Sequence, residues 1–397
     1  MNPSLRQRLP LYPSQFISAV AMVSLGPLLD SMMRDLSIPL RQGGLISLGF
    51  FLGEVIGIVA INTHMAKVPA KWVLVAGATL QGAGLVAAGA VSWNLSSLFV
   101  AYLLIGFGWA LLNLIGWMWV SARVKQGTAA AVLLLLLFFA MGMMLTPLVL
   151  GLIVDMGASW RWIVVAEGAI SLSMAIAFVS LPLLDIPGRQ NVRLDHLRRV
   201  ATFNPGLLWG MVGASFMYVG AESNLNVWLP KFQLDTFNAS DTVASLSLTL
   251  FWLGLLVGRF IGIPLTRRFS PSRILLVCAC ALAAFAVAVA FAPTQAASLV
   301  LSVGAGLGAS ASAGIIGSYA GRFPDWQSGV ASSVFLLIGG IGSMVFPYLT
   351  GPLAAAAGLR LALAVTAVPA IAYALFSLLI RARSGEGRVA GDRVSRT

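Results

Sequence analysis

The sequence predicts an all-α membrane protein of twelve transmembrane helices, arranged as two six-helix, pseudo-symmetric halves. Three observations predict it. Apolar residues make up 59% of the chain and charged residues only 10%, and the mean hydropathy is +0.92, beyond what a soluble domain tolerates. The apolar stretches are continuous and not alternating, which excludes a β-barrel. Sequence features of the first half also return in the second at an offset near 200 residues.

About 20 apolar residues cross roughly 30 Å of hydrocarbon. By that ruler the spans fall at 12–34, 43–63, 72–92, 96–120, 128–153, 160–184, 205–230, 243–265, 273–292, 297–320, 327–350 and 354–380. The first stretch is full length and lacks a small-residue cleavage site, so it reads as span one and not as a signal peptide. No hydrophilic stretch is long enough for a soluble domain. With both termini on the cytoplasmic side, Arg34, Arg41, Arg161, Lys231 and Arg360 lie outside and Arg259 within the membrane, leaving 19 of the 25 Lys and Arg inside. Such a bias predicts an even number of spans in the cell (plasma or inner) membrane. It also explains the net charge of +12 through orientation and anionic headgroups, with no need for nucleic acid. Cys278 and Cys280 read as packing residues in span nine, and His64 and His196 as solvated loop residues. No cofactor, metal site or obligate protein partner is implied.

The most hydrophilic internal stretch, 185–203, divides an N-terminal bundle (1–184) from a C-terminal bundle with a short cytoplasmic tail (204–397). Gly142, Pro147 and Gly151 in span five match Gly342, Pro347 and Gly351 in span eleven, both as G-x4-P-x3-G. Phe50-Phe-Leu-Gly53 with Gly57 matches Phe251-Trp-Leu-Gly254 with Gly258, and Gly106 and Gly108 are paired with Gly304 and Gly306. Small residues at this spacing let helices approach closely. Repeated halves predict a central site served by alternating access.

Six plus six helices, a basic middle loop and a basic turn after the second span of each half resemble the major facilitator superfamily. Its loop signature, roughly G-x-L-x-D-R-x-G-R-R, is degraded here. Asn62–Lys71 has Ala66 where the family has Asp, and Ile263–Arg273 also lacks the acid. The resemblance therefore implies a cytoplasmic gate built on other contacts. Tyr218-Val-Gly-Ala-Glu222-Ser-Asn224-Leu-Asn226-Val-Trp228-Leu-Pro230, with Gly26-Pro-Leu-Leu29 and Gly258-Arg259, is similar to the fucose/glucose–proton symporter group of that superfamily. Trp160-Arg-Trp162 followed by Glu167 resembles the anion–cation symporter branch, whose span-one signature is absent.

Charges inside spans are the candidate working parts, since each costs several kcal/mol in hydrocarbon unless paired or hydrated. Glu222, mid-way along span seven between Gly220 and Pro230, is the first candidate for proton coupling, with local unwinding expected there. A carboxylate at that depth can take up a proton facing out and release it facing in. Asn226 shares its face at i,i+4, so the two offer a carboxylate and an amide to one solute. The alternative is a Glu that only bonds a neighbouring helix. Glu54, flanked by Gly53 and Gly57, reads either as a second proton carrier or as a hydrogen-bonded packing residue. Asp30, one turn before Arg34, reads as a gate pair or as a proton or substrate ligand. Glu167 reads as hydrogen-bonded packing. Arg259, Arg34, Lys67 and Arg268 are the gating candidates. Trp109, Asn113 and Trp117 recur on one face of span four, where indole rings flanking an amide suit a sugar. Gln81 and Tyr319 complete the substrate-binding candidates.

The expected function is therefore proton-coupled secondary transport of a small polar solute, with a sugar or sugar-like compound favoured. The alternatives are proton-driven efflux of drugs or metabolites, which Thr146-Pro147 in span five partly echoes, and organic anion symport. An enzyme is not expected: neither His lies in a span, no Cys/His pair converges, and no Walker loop is present.

Overall fold

A computed structural model describes residues 9–64, 67–123, 128–180, 185–186, 192, 194–324 and 326–384, and among them every regular element is helical. Arg6, Arg8, Ala66, Lys125, Arg189, Arg193, Arg388, Arg393 and Arg396 lie outside the described residues. Ten helices are individually long and apolar enough to cross a membrane, from Leu40–Thr63 to Leu359–Arg383. Leu11–Val23 and Leu25–Asp35 form one further span bent by 42°. The last is Pro205–Phe237, 33 residues long, in which Glu222, Lys231, Asp235 and several amides dilute the apolar content. In chain order these twelve are spans one to twelve.

Three local expectations need correction. Span one, read as a single stretch over 12–34, is broken at Ser24, because Pro27 has no N–H for the carbonyl four residues earlier. Span seven does not unwind at Gly220 or stop at Pro230. It runs on to Phe237 with Pro230 inside it, a proline that costs a spanning helix one hydrogen bond and not its continuity. Residues 354–357 extend span eleven to Ala357, and span twelve begins at Leu359. Gly358 separates them with φ +83, and Gly157 ends span five with φ +89, the left-handed geometry that terminates helices.

Part of the 185–203 stretch is the helix Leu194–Phe203. His196 sits there with its ring 4.8 Å from that of Trp326, so it is packed and not simply solvated. Of the two cysteines, Cys278 is buried but Cys280 is exposed.

The repeat is physical. A methyl group at Gly106 would overlap the Phe50 carbonyl, and one at Gly306 the Phe251 carbonyl. Gly108 meets the Gln81 amide nitrogen as Gly308 meets that of Leu282. Gly106 and Gly108 therefore correspond to Gly306 and Gly308, and not to Gly304 and Gly306 as the spacing suggested; Gly304 faces the Phe285 ring. Arg161 donates to the carbonyls of Gly89 and Ser92 at 3.1 and 2.8 Å, and Arg360 to those of Ala290 and Ala292 at 3.0 and 3.4 Å. In both halves an arginine at the start of the last span ties down the end of the third.

Contacts divide the chain into two compact units. One holds Met1–Asn191, Asn226–Thr249 and Pro347–Leu359; the other holds Val192–Leu225, Leu250–Phe346 and Arg360–Thr397. The first unit thus gathers all of the first six spans with segments of spans seven, eight and eleven.

Candidate functional site

The first unit carries a buried ion network that joins span one to span seven. Helical periodicity puts Asp30 beside Arg34 and Lys231 beside Asp235, each pair one turn apart. Lys231 Nζ lies 2.8 Å from Asp30 Oδ1 and 2.5 Å from Asp235 Oδ1, while Arg34 Nε lies 2.8 Å from Asp30 Oδ2. The Lys231 and Asp30 side chains are only 10% and 11% exposed. A charge this buried is stable only when paired and hydrogen-bonded, and each partner here supplies the other's requirement.

Close backbone contacts surround that network. Gly26 lies against the Asn226 carbonyl, and Gly44 against the backbone of Pro347 and Tyr348. The Trp228 indole N–H donates to the Pro347 carbonyl at 2.9 Å. The last glycines of the two G-x4-P-x3-G motifs serve the same end: Gly151 meets Asp241 and Ser245, and Gly351 meets the carbonyls of Leu40 and Arg41. One turn beyond Gly151, Asp155 accepts from the amides of Asp241 and Thr242 at 3.0 and 2.9 Å and from the Thr242 hydroxyl. It thereby caps the helix Asp241–Arg268 from another span, meeting donors that the helix itself leaves open. Asp35 holds Arg161 at 2.8 Å nearby on the same end of span one.

The span-four stripe is partly committed to packing. The Trp109 N–H donates to the Ser18 carbonyl at 3.0 Å, with its ring 6.0 Å from that of Phe50. Asn113 is buried and Trp117 half-buried. Gln81 is fully buried and donates to Ser171 of span six at 3.4 Å, beside the seam where Gly82 and Gly168 approach each other. Glu54 is half-buried, with no hydrogen bond or ion pair among the described residues. Glu167 is buried, with neither carboxylate oxygen at hydrogen-bond geometry to a partner among the described residues, and Ser24 and Tyr102 are among its polar neighbours.

In the second unit the Tyr218 hydroxyl donates to Glu222 Oε2, one helical turn along span seven. The Tyr218 and Tyr373 rings are 5.7 Å apart, and Arg259 of span eight is near enough to act electrostatically on both Glu222 and Tyr218. Asn224 donates to Thr366 at 2.8 Å. Asn226, one turn past Glu222, is buried and belongs to the first unit. Tyr319 is buried beneath the Arg322 guanidinium, 5.0 Å from its ring. Lys67 and Arg268 are exposed, and neither forms an ion pair among the described residues.

Three residues were missed from sequence. Lys231 was assigned to an outer loop, although its i,i+4 relation to Asp235 signals a helix continuing past Pro230. Asp155 stands just before the glycine that ends span five, and nothing local signals the cap it gives to another helix. Gln15 is fully buried, with both amide atoms lacking hydrogen bonds, against Gly116; a search for polar residues inside spans would have found it beside the charges.

The model of the Major Facilitator Superfamily matches residues 11–240 and 211–394. Among solved structures, a nucleoside transporter, NupG, is 15% identical over 94% of this chain and 99% of its own, with a TM-score of 0.76. A D-xylose–proton symporter is 14% identical over 94% and 96%, with a TM-score of 0.75. FucP, a Major Facilitator Superfamily transporter in the outward conformation, is 20% identical over 96% and 99%, with a TM-score of 0.65. No curated protein matches the chain by sequence. At these identities the structural likenesses speak to the fold alone.

Proposed function

Because the chain belongs to the Major Facilitator Superfamily, and is thus a multi-pass membrane transporter and not an enzyme, we propose that it couples proton movement to transport of a small polar, sugar-like solute. The observation that carries this reading is the mid-span carboxylate of Glu222, hydrogen-bonded by Tyr218 and within the field of Arg259. A proton taken up at Glu222 removes the negative charge that accepts the Tyr218 hydrogen bond. That couples one proton to a local rearrangement, the minimum that alternating access requires. Glu54, also half-buried and unbonded among the described residues, is the second proton carrier in this reading, with Asp30 the third.

The substrate-binding candidates are Glu222 in the second unit and Asn226, Asn113, Trp109 and Trp117 in the first, amides and indole faces being the groups that suit a sugar's hydroxyls and ring. Gln81 and Tyr319 take supporting positions. The named substrates of two similar structures, D-xylose and a nucleoside, both carry a hydroxylated sugar ring, which supports the same class here. The ion network of Asp30, Arg34 and Lys231, with the cap at Asp155, acts as the gate at its end of the bundle. The excess of basic residues at the opposite end supports an outward position for this gate and cytoplasmic termini in the cell membrane. Lys67 in the first unit and Arg259 and Arg268 in the second are the remaining gating candidates.

The test is uptake of radiolabelled pentoses, hexoses and nucleosides into proteoliposomes of purified protein. The expected result is accumulation driven by an inward proton gradient and collapsed by a protonophore. Accumulation that follows a sodium gradient instead, or outward movement of cationic drugs with no sugar uptake, would overturn the reading.

A further inference from the structure

Spans eight, nine and ten enclose a groove of about 550 Å³ near the turn that joins spans eight and nine. Its volume lies within the usual range of small-molecule sites. It lies wholly in the second unit, and none of the transport candidates above is in its lining, although the gating candidate Arg268 stands on the same turn. Its lining is apolar apart from Arg273, Cys278 and Ser310. The same turn carries Arg267 and Arg268 in the last turn of span eight. All three arginines are exposed, and none forms an ion pair among the described residues.

The repeat explains why a groove exists here. Gly57 corresponds to Gly258, so Gly262 stands where the first half has Ile61. Gly106 and Gly108 correspond to Gly306 and Gly308, so Ala311 stands where the first half has Leu111. Ile61 and Leu111 are 2% and 0% exposed, packed into one apolar cluster with Leu74 and Ile115. The second half has glycine and alanine at these two positions. A methyl group added at Gly262 would meet only Ala311, at 3.5 Å. Interiors are close-packed, and a vacated volume of this size leaves its lining without partners. The rim stays uncovered as well: Val277 is 68% exposed, Ile261 51% and Phe269 49%.

We infer that this groove binds an anionic phospholipid, one acyl chain filling the space left by Gly262 and Ala311 and the phosphate meeting Arg273, Arg267 and Arg268. Apolar depth suits a hydrocarbon chain, which passes from the bilayer into the groove at little hydrophobic gain, so the headgroup decides which lipid is held. Arg273 in the lining, with Arg267 and Arg268 in the last turn of span eight just before it, favours a negative headgroup, as basic pockets between transmembrane helices do. Zwitterionic lipid satisfies the first requirement but not the second; free phosphate satisfies the second but not the first.

The test is native mass spectrometry of the purified protein with dioleoylphosphatidylglycerol, dioleoylphosphatidylcholine or glycerol phosphate, alongside thermal melting with each. One phosphatidylglycerol should be retained and should raise the melting temperature, while phosphatidylcholine and glycerol phosphate should do neither. Replacing all three arginines by Gln should weaken phosphatidylglycerol retention roughly a hundredfold, taking each cation at its usual worth near a membrane surface. Restoring the first-half residues, Gly262→Ile with Ala311→Leu, should fill the groove and abolish retention; Ala311→Leu alone should weaken it and serves if the double variant does not fold. Equal retention of the two lipids, stabilisation by glycerol phosphate alone, or undiminished retention in the filled variants would each overturn the inference.

Discussion

Lys231→Met removes the cation between Asp30 and Asp235 while keeping the length and apolar stem of the side chain. Breaking a buried pair by deleting one partner costs about 3–5 kcal/mol, mostly because the other charge is left buried. Asp30 keeps Arg34 at 2.8 Å, but that arginine is 65% exposed and offsets little of the loss, so about 3 kcal/mol is expected. If the network closes this end of the bundle, the cost falls on the closed state alone, and the open population rises about a hundredfold. Ser245 reports it: it is 1% exposed and packed against Gly151. With Cys278→Ala and Cys280→Ala as background, Ser245→Cys should react with a maleimide up to a hundredfold faster when Lys231→Met is added. Adding Asp30→Asn should return most of the protection, because a neutral pair leaves no orphaned charge. A lowered melting temperature with labelling unchanged would refute the reasoning, for the network would then stabilise the fold without holding a gate.

Two further predictions rest on the same geometry. Asp155→Ala, which strips three hydrogen bonds from the start of the helix Asp241–Arg268, should cost about 1 kcal/mol because the carboxylate is exposed. The loss should appear as a lower melting temperature that Asp155→Asn largely restores. Gly306→Ala should cost about 2 kcal/mol or more, since its methyl overlaps the Phe251 carbonyl. Gly304→Ala, which meets only the Phe285 ring, should cost less in the same melting assay.

Much of the fold was legible because hydrocarbon imposes a single rule: every backbone group must be satisfied within the segment. Span length and the recurrence of glycine then carry the architecture, and Gly106 and Gly306 do in the structure what their sequence pattern implies. Registers were less legible. A two-residue slip in matching Gly106 passed unnoticed because glycines two apart look alike until their partners, Phe50 and Phe251, are known. Helix ends were hardest where polar and apolar cues conflicted. Pro230, Lys231 and Asp235 read as an exit from the membrane, yet the two charges pair along a continuing helix and with Asp30. That pairing joins residues about 200 apart in sequence, and no local pattern announces it. The same holds for Asp155, whose value lies entirely in two amides of another span. Glu222 was legible as an isolated mid-span charge, but its bond to Tyr218 needed the helix to stay regular through Gly220, which the expected unwinding would have prevented.

The most direct test of the account is to separate exchange from accumulation in Glu222→Gln. In proteoliposomes preloaded with the substrate found in the uptake screen, the variant should still exchange labelled for unlabelled solute, since Gln keeps the volume and a hydrogen-bond acceptor for Tyr218. Under an inward proton gradient it should no longer concentrate that solute. Gradient-driven accumulation by Glu222→Gln at the rate of the unaltered protein would contradict the claim that this carboxylate carries the proton.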